Sequence, residues 1–60
     1  MNAKVIEQIL KLRLFSNAPN MFDTIAVQRL AFENEFFELV NFIEDDRKAY
    51  SHFIFTGKSE

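Results

Sequence analysis

Asp45-Asp46-Arg47-Lys48-Ala49-Tyr50-Ser51-His52-Phe53-Ile54-Phe55-Thr56-Gly57 is the stretch on which the fold class turns, because it reads two ways. Tyr50, Phe53 and Ile54 make an i, i+3, i+4 stripe of a short helix, with acidic caps before it and the chain's only glycine after it. The run Phe53-Ile54-Phe55-Thr56, by contrast, has the aromatic and β-branched composition of a strand. A strand needs a partner. No other segment reads as one, and a solitary strand leaves its backbone N–H and C=O groups unpaired. The expected fold is therefore all-α, a small bundle of three to four short helices, with a strand pairing to another subunit as the alternative for residues 47–56.

Working back from that stretch, Phe36, Leu39, Val40 and Ile43 recur at helical spacing over residues 35–45, with Glu38, Asn41, Glu44 and Asp45 opposite. Phe37 and Phe42 fall at the two margins of this buried arc. Further upstream Asp23 is a good N-cap, and Phe22 with Val27 has the spacing of a hydrophobic staple. A helix is expected over residues 24–34, with Val27, Leu30 and Ala31 inside and Gln28 and Arg29 outside; either Asn34 supplies the left-handed residue that closes it, or the helix continues unbroken into the next segment. Residues 16–20, with two Asn and the only proline, read as a loop. Before them a first helix is expected over residues 3–15. Its wheel places Lys4, Glu7, Gln8 and Lys11 on one side and Val5, Ile6, Ile9, Leu10 and Leu14 on the other. Arg13 projects from the middle of that apolar arc and is expected to pair with an acidic residue of a later helix.

Composition narrows the function classes. Sixty residues are expected to form one domain over 1–60, and a chain of this size buries only about 60 % of the surface its unfolded form exposes. Without cysteine, and with His52 the sole histidine, one chain assembles neither a disulfide framework nor a Cys/His zinc site, so stability has to come from packing or assembly. Eight phenylalanines are many for so small an interior. Rings that find no room inside would mark a homo-oligomer contact or a protein partner's surface. The net charge of −2 disfavours an ordinary basic nucleic-acid binder. Residues 1–29 hold four basic and two acidic groups and residues 30–60 three and seven, an asymmetry suited to head-to-tail or antiparallel association. No apolar run approaches the roughly 20 residues of a membrane span, and no leader pattern opens the chain, so no membrane and a cytoplasmic setting are expected.

No catalytic, cofactor or metal constellation emerges. One glycine precludes a phosphate-binding loop, and a Tyr50–His52 pair near a chain end reads as surface or packing rather than acid–base machinery, so the protein is not expected to be an enzyme. Glu33, Glu35, Glu38, Glu44, Asp45 and Asp46 fall within fourteen residues that contain no basic one. They read first as a solvated face and second as a surface for a basic partner; calcium-loop spacing is absent. Helices two and three around Asn34 also mimic a helix-turn-helix with Ala31 at the crossing. The would-be recognition helix carries Glu35, Glu38 and Glu44 where phosphate contact asks for Lys or Arg.

The residues Asn20-Met21-Phe22-Asp23, Ala26-Val27-Gln28-Arg29, Ala31, Phe37-Glu38-Leu39-Val40, Phe42-Ile43-Glu44, Arg47-Lys48, Tyr50 and His52-Phe53-Ile54-Phe55-Thr56-Gly57 resemble an uncharacterised family of short proteins. That family, labelled a domain of unknown function, occurs mainly in phages and prophages of Gram-positive bacteria. The resemblance extends to Val5, Ile6, Gln8-Ile9-Leu10 and Arg13, and departs at residues 16–19, which replace a shorter glycine-containing turn. It implies a phage or prophage origin and an intracellular setting, and transfers no activity. The favoured expectation is a non-catalytic interaction or accessory protein, with Phe37, Phe42, Glu38 and Glu44 as candidate interface. The alternative is a small helix-turn-helix-like DNA-binding regulator.

Overall fold

The computed structural model describes residues 1–58, and four helices run through it: α1 (Ala3–Arg13), α2 (Thr24–Glu33), α3 (Phe37–Asp45) and α4 (Arg47–Thr56). The decisive stretch is helical, and no strand occurs among the described residues. Asp46 starts α4 by accepting from the Ala49 N–H at 3.0 Å, and Gly57 ends it in the left-handed region at φ 75°. A residue there without a Cβ avoids the clash that other side chains incur. Asp46 also closes α3, so one residue turns the chain between two helices.

Asp23 caps α2 as its composition suggests, accepting from the Ala26 N–H at 3.1 Å. Val27 is buried, but Phe22 is half exposed and lines a groove with residues of α4. At the other end the left-handed position is Glu35 (φ 61°), one residue beyond Asn34 (φ −101°). Hydrogen bonds explain the shift: Phe36 N–H reaches the Ala31 carbonyl at 2.8 Å and Glu35 N–H the Phe32 carbonyl at 3.0 Å, the paired bonds of a Schellman ending. That geometry requires positive φ at residue 35. Asn34 instead donates its side-chain amide to the Leu30 carbonyl at 2.9 Å. Helix α3 accordingly begins at Phe37, two residues later than expected.

Helix α1 is rotated by roughly a quarter turn from the face that its sequence favours. Val5, Gln8, Ile9 and Leu12 point inward, whereas Leu10 is 48 % and Leu14 86 % exposed. The rotation carries Arg13 out of the apolar arc. It is exposed and makes no ion pair among the described residues, so the partner expected on a later helix is not needed.

Helix α3 packs against the other three helices and is the hub of the fold. One core joins Val5, Ile9 and Leu12 of α1, Val27, Leu30 and Ala31 of α2, Leu39 and Ile43 of α3, and Tyr50 and Phe53 of α4. Burying this apolar set is the main favourable contribution to folding, on the order of 1.5–3 kcal/mol for each large side chain. Tyr50 is wholly buried and donates its hydroxyl to the Met21 carbonyl at 2.7 Å, which fastens the α1–α2 loop to α4. Burial pushes the phenol above its ordinary ionisation range, against a weaker opposite effect of Arg13. Phe15 and Phe36 add a tilted ring pair at 6.1 Å beside the core.

Candidate functional site

The four candidate interface residues take different roles. Phe37, in the first turn of α3, is 46 % exposed and meets Phe32 of α2 edge to face, with ring centroids 5.7 Å apart. Phe42 is half-buried against the core. Glu38 and Glu44 are exposed but engaged within the chain. The structure thus joins Phe37 to Phe32, a residue the sequence pattern did not single out, and separates it from Phe42.

Glu38 belongs to a polar clamp that sequence reading placed on the surface. Helix α3 starts after Phe36, whose side chain offers no acceptor for the first N–H groups of the helix. Gln8 supplies one from α1: its Oε1 accepts from the buried Leu39 N–H at 2.9 Å, and its Nε2 donates to Glu38 Oε1 at 2.7 Å. Both ends of the amide are used. Gln8 is only 4 % exposed, although the helical wheel sets it among charged residues. The hydrogen bond from Gln8 holds the Glu38 carboxyl below its ordinary pKa of 4.5, helped by its own backbone N–H and by Lys4, while partial desolvation opposes the shift.

Glu44 belongs to a second tie. Gln28 of α2 donates to the Val40 carbonyl at 3.0 Å and to Glu44 Oε1 at 3.1 Å. Arg47 of α4 donates to Thr24 Oγ1 at 2.7 Å and stands 3.9 Å from Glu44. Three helices meet there. Replacing Glu38 or Glu44 therefore disturbs helix packing as well as any surface they present.

Besides the exposed aliphatic residues Leu10, Leu14 and Ile25, two aromatic features are open to solvent among the described residues. The first is the Phe32–Phe37 corner, where α2 turns into α3; Phe32 is 62 % exposed, and the exposed Glu33 and Glu35 flank it. The second is a groove of about 440 Å³ lined by Phe22, Arg47, Lys48, Ser51, His52 and Phe55. Phe22 is 51 % and Phe55 81 % exposed, so rings supply the apolar surface of this shallow, open groove while Arg47 and Lys48 bring positive charge. Four of the eight phenylalanines, residues 22, 32, 37 and 55, are thus largely exposed. Phe32 was legible in principle, since it lies off the Val27, Leu30 and Ala31 face. Pairing Phe22 with α4 required the tertiary fold.

The residues suited to chemistry do not converge. Tyr50 spends its hydroxyl on Met21 inside the core, whereas His52 stands on the groove, so the two form no acid–base pair. No group of three or more His, Cys, Asp or Glu side chains is gathered as a metal set among the described residues. No helix is long and apolar enough to cross a membrane among those residues.

These features define a small all-α domain with a hydrogen-bonded interior and aromatic side chains presented at its surface. The chain belongs to the family described as Domain of unknown function (DUF5049), whose model matches residues 1–58, in keeping with the sequence resemblance to an uncharacterised family. No curated protein and no solved structure matches the chain.

Proposed function

We propose that this chain is a non-catalytic interaction protein of phage or prophage type, working in the cytoplasm by binding a protein surface through its exposed aromatic corner. The observation that carries the reading is the Phe32–Phe37 pair. Two rings stacked edge to face and both about half exposed or more form a preorganised apolar anchor rather than scattered hydrophobic residues. Aromatic anchors dominate interface energetics because they bury a large area at small cost in side-chain entropy. Phe42, Glu38 and Glu44 are engaged in packing and intramolecular hydrogen bonds, which leaves the Phe32–Phe37 pair as the open part of the candidate surface.

A DNA-binding regulator is the weaker reading. Helices α2 and α3 are joined by a short turn, as such a motif asks, but α3 contains no Lys or Arg and carries Glu38 and Glu44 on its exposed side. Phosphate contact needs the opposite charge.

The test is a Phe32→Ser, Phe37→Ser double variant compared with the wild type in cross-linking from the lysate of a phage-infected Gram-positive host and in solution mass. Loss of a cross-linked protein, or of self-association, with the helical circular dichroism spectrum retained is the result expected. Identical cross-links and identical mass for the two proteins would refute the reading.

A further inference from the structure

Two unlike surfaces stand at opposite ends of α2. The Phe32–Phe37 corner lies at its C-terminal end, with the carboxylates of Glu33 and Glu35 beside the rings. The groove lies at its N-terminal end, where Phe22 precedes the Asp23 cap and faces α4. The ten residues of α2 separate them by about 15 Å along the helix axis. One copy cannot bring its own corner to its own groove.

The two surfaces are complementary in charge. The corner exposes two rings beside carboxylates; the groove is a shallow, open depression lined by two exposed rings with Arg47 and Lys48 beside them. Lys48 is exposed and forms no ion pair among the described residues, and neither do Glu33 and Glu35. Arg47 is shared with Glu44 and Thr24, so Lys48 is the uncompensated charge of the groove. Lys48 facing a ring pair that has Glu33 and Glu35 beside it is an arrangement that selects register and orientation.

We infer that the groove of one copy receives the Phe32–Phe37 corner of a second copy, giving a head-to-tail contact. The inference rests on the corner being an interaction surface and adds what it binds. A contact between two different patches is heterologous, so it propagates into a ring or chain rather than closing as a two-fold dimer by itself. The contact buries four exposed rings at once, those of residues 22 and 55 on one copy and 32 and 37 on the other.

Complementation tests it. A corner variant (Phe32→Ser, Phe37→Ser) keeps an intact groove, and a groove variant (Phe22→Ser, Phe55→Ser) keeps an intact corner. Light scattering over a concentration series should show the wild-type mass rising past two 7.1 kDa chains, and either variant alone staying at one. The apparent association constant of each variant should fall about ten-fold or more. An equimolar mixture should recover a species of two chains and no larger, because only one competent contact remains. A second pair guards against loss of fold: Lys48→Glu and Glu33→Lys alter exposed side chains, should each weaken association, and should restore it when mixed, with salt reducing the effect. Association of the wild type without recovery in either mixture would overturn the head-to-tail contact and indicate like-with-like pairing. A wild type that remains a monomer at every concentration would overturn the inference while leaving the corner free for a different protein, which the cross-linking comparison decides separately.

Discussion

Gln8 shows how one side chain substitutes for a missing local signal. A Ser, Thr, Asp or Asn before α3 would satisfy the first N–H groups within its own turn, but Phe36 holds that place and packs beside the core instead. The Leu39 N–H is buried, and leaving it without an acceptor costs about 1–3 kcal/mol. Gln8→Leu should therefore destabilise the domain by about 2 kcal/mol in urea unfolding, although it adds apolar surface to a buried position. The same variant should let Glu38 titrate closer to its ordinary 4.5, which proton NMR can follow. A loss under about 0.5 kcal/mol would mean that Leu39 finds another acceptor. None of this was legible in periodicity, because a helical wheel sorts a Gln with the charged residues. Nor did the sequence hint at it, because a helix read from residue 35 has Asn34 before it, and only the later start at Phe37 leaves the N-cap without a side-chain acceptor.

Helix types and most boundaries were readable because they depend on local chemistry. Asp23 and Asp46 cap where their side chains reach N–H groups three residues on, and Gly57 stops α4. The faces were harder, since α1 turns to serve α3 rather than to bury every apolar residue it carries. The ending of α2 shows the limit of propensity most clearly. Asn tolerates the left-handed region better than Glu, yet the Phe36-to-Ala31 and Glu35-to-Phe32 bonds fix the required position one residue after Asn34. Glu35 accordingly bears a cost of about 1–2 kcal/mol that glycine avoids. Glu35→Gly should raise stability by roughly 0.5–1 kcal/mol once the greater freedom of glycine in the unfolded chain is subtracted. Thermal unfolding checks it, and a lower midpoint would show that the Glu35 side chain contributes more than its backbone strain removes.

At the scale of the whole molecule, a small core leaves stability sensitive to any single buried ionisable group, and Tyr50 is such a group. Its hydroxyl holds the α1–α2 loop through Met21, and its ring fills the centre of the bundle. In the unfolded chain the phenol ionises near its ordinary value of 10.0; in the folded chain burial raises that value, so the folded state keeps the proton longer. The sign follows from linkage. Stability attributable to Tyr50 is fully present below pH 10 and is lost as pH rises above it, by up to about 1.4 kcal/mol per pH unit. Tyr50→Phe should cost about 1 kcal/mol at pH 7, where the Met21 carbonyl loses its donor. Above pH 10 the wild type should lose that advantage and then fall below the variant, because phenylalanine has no proton to release. The two proteins differ only in the phenol hydroxyl, so the difference between their urea-derived stabilities from pH 7 to 11 isolates it. Parallel curves across that range would show that the hydroxyl reaches solvent and ionises in place.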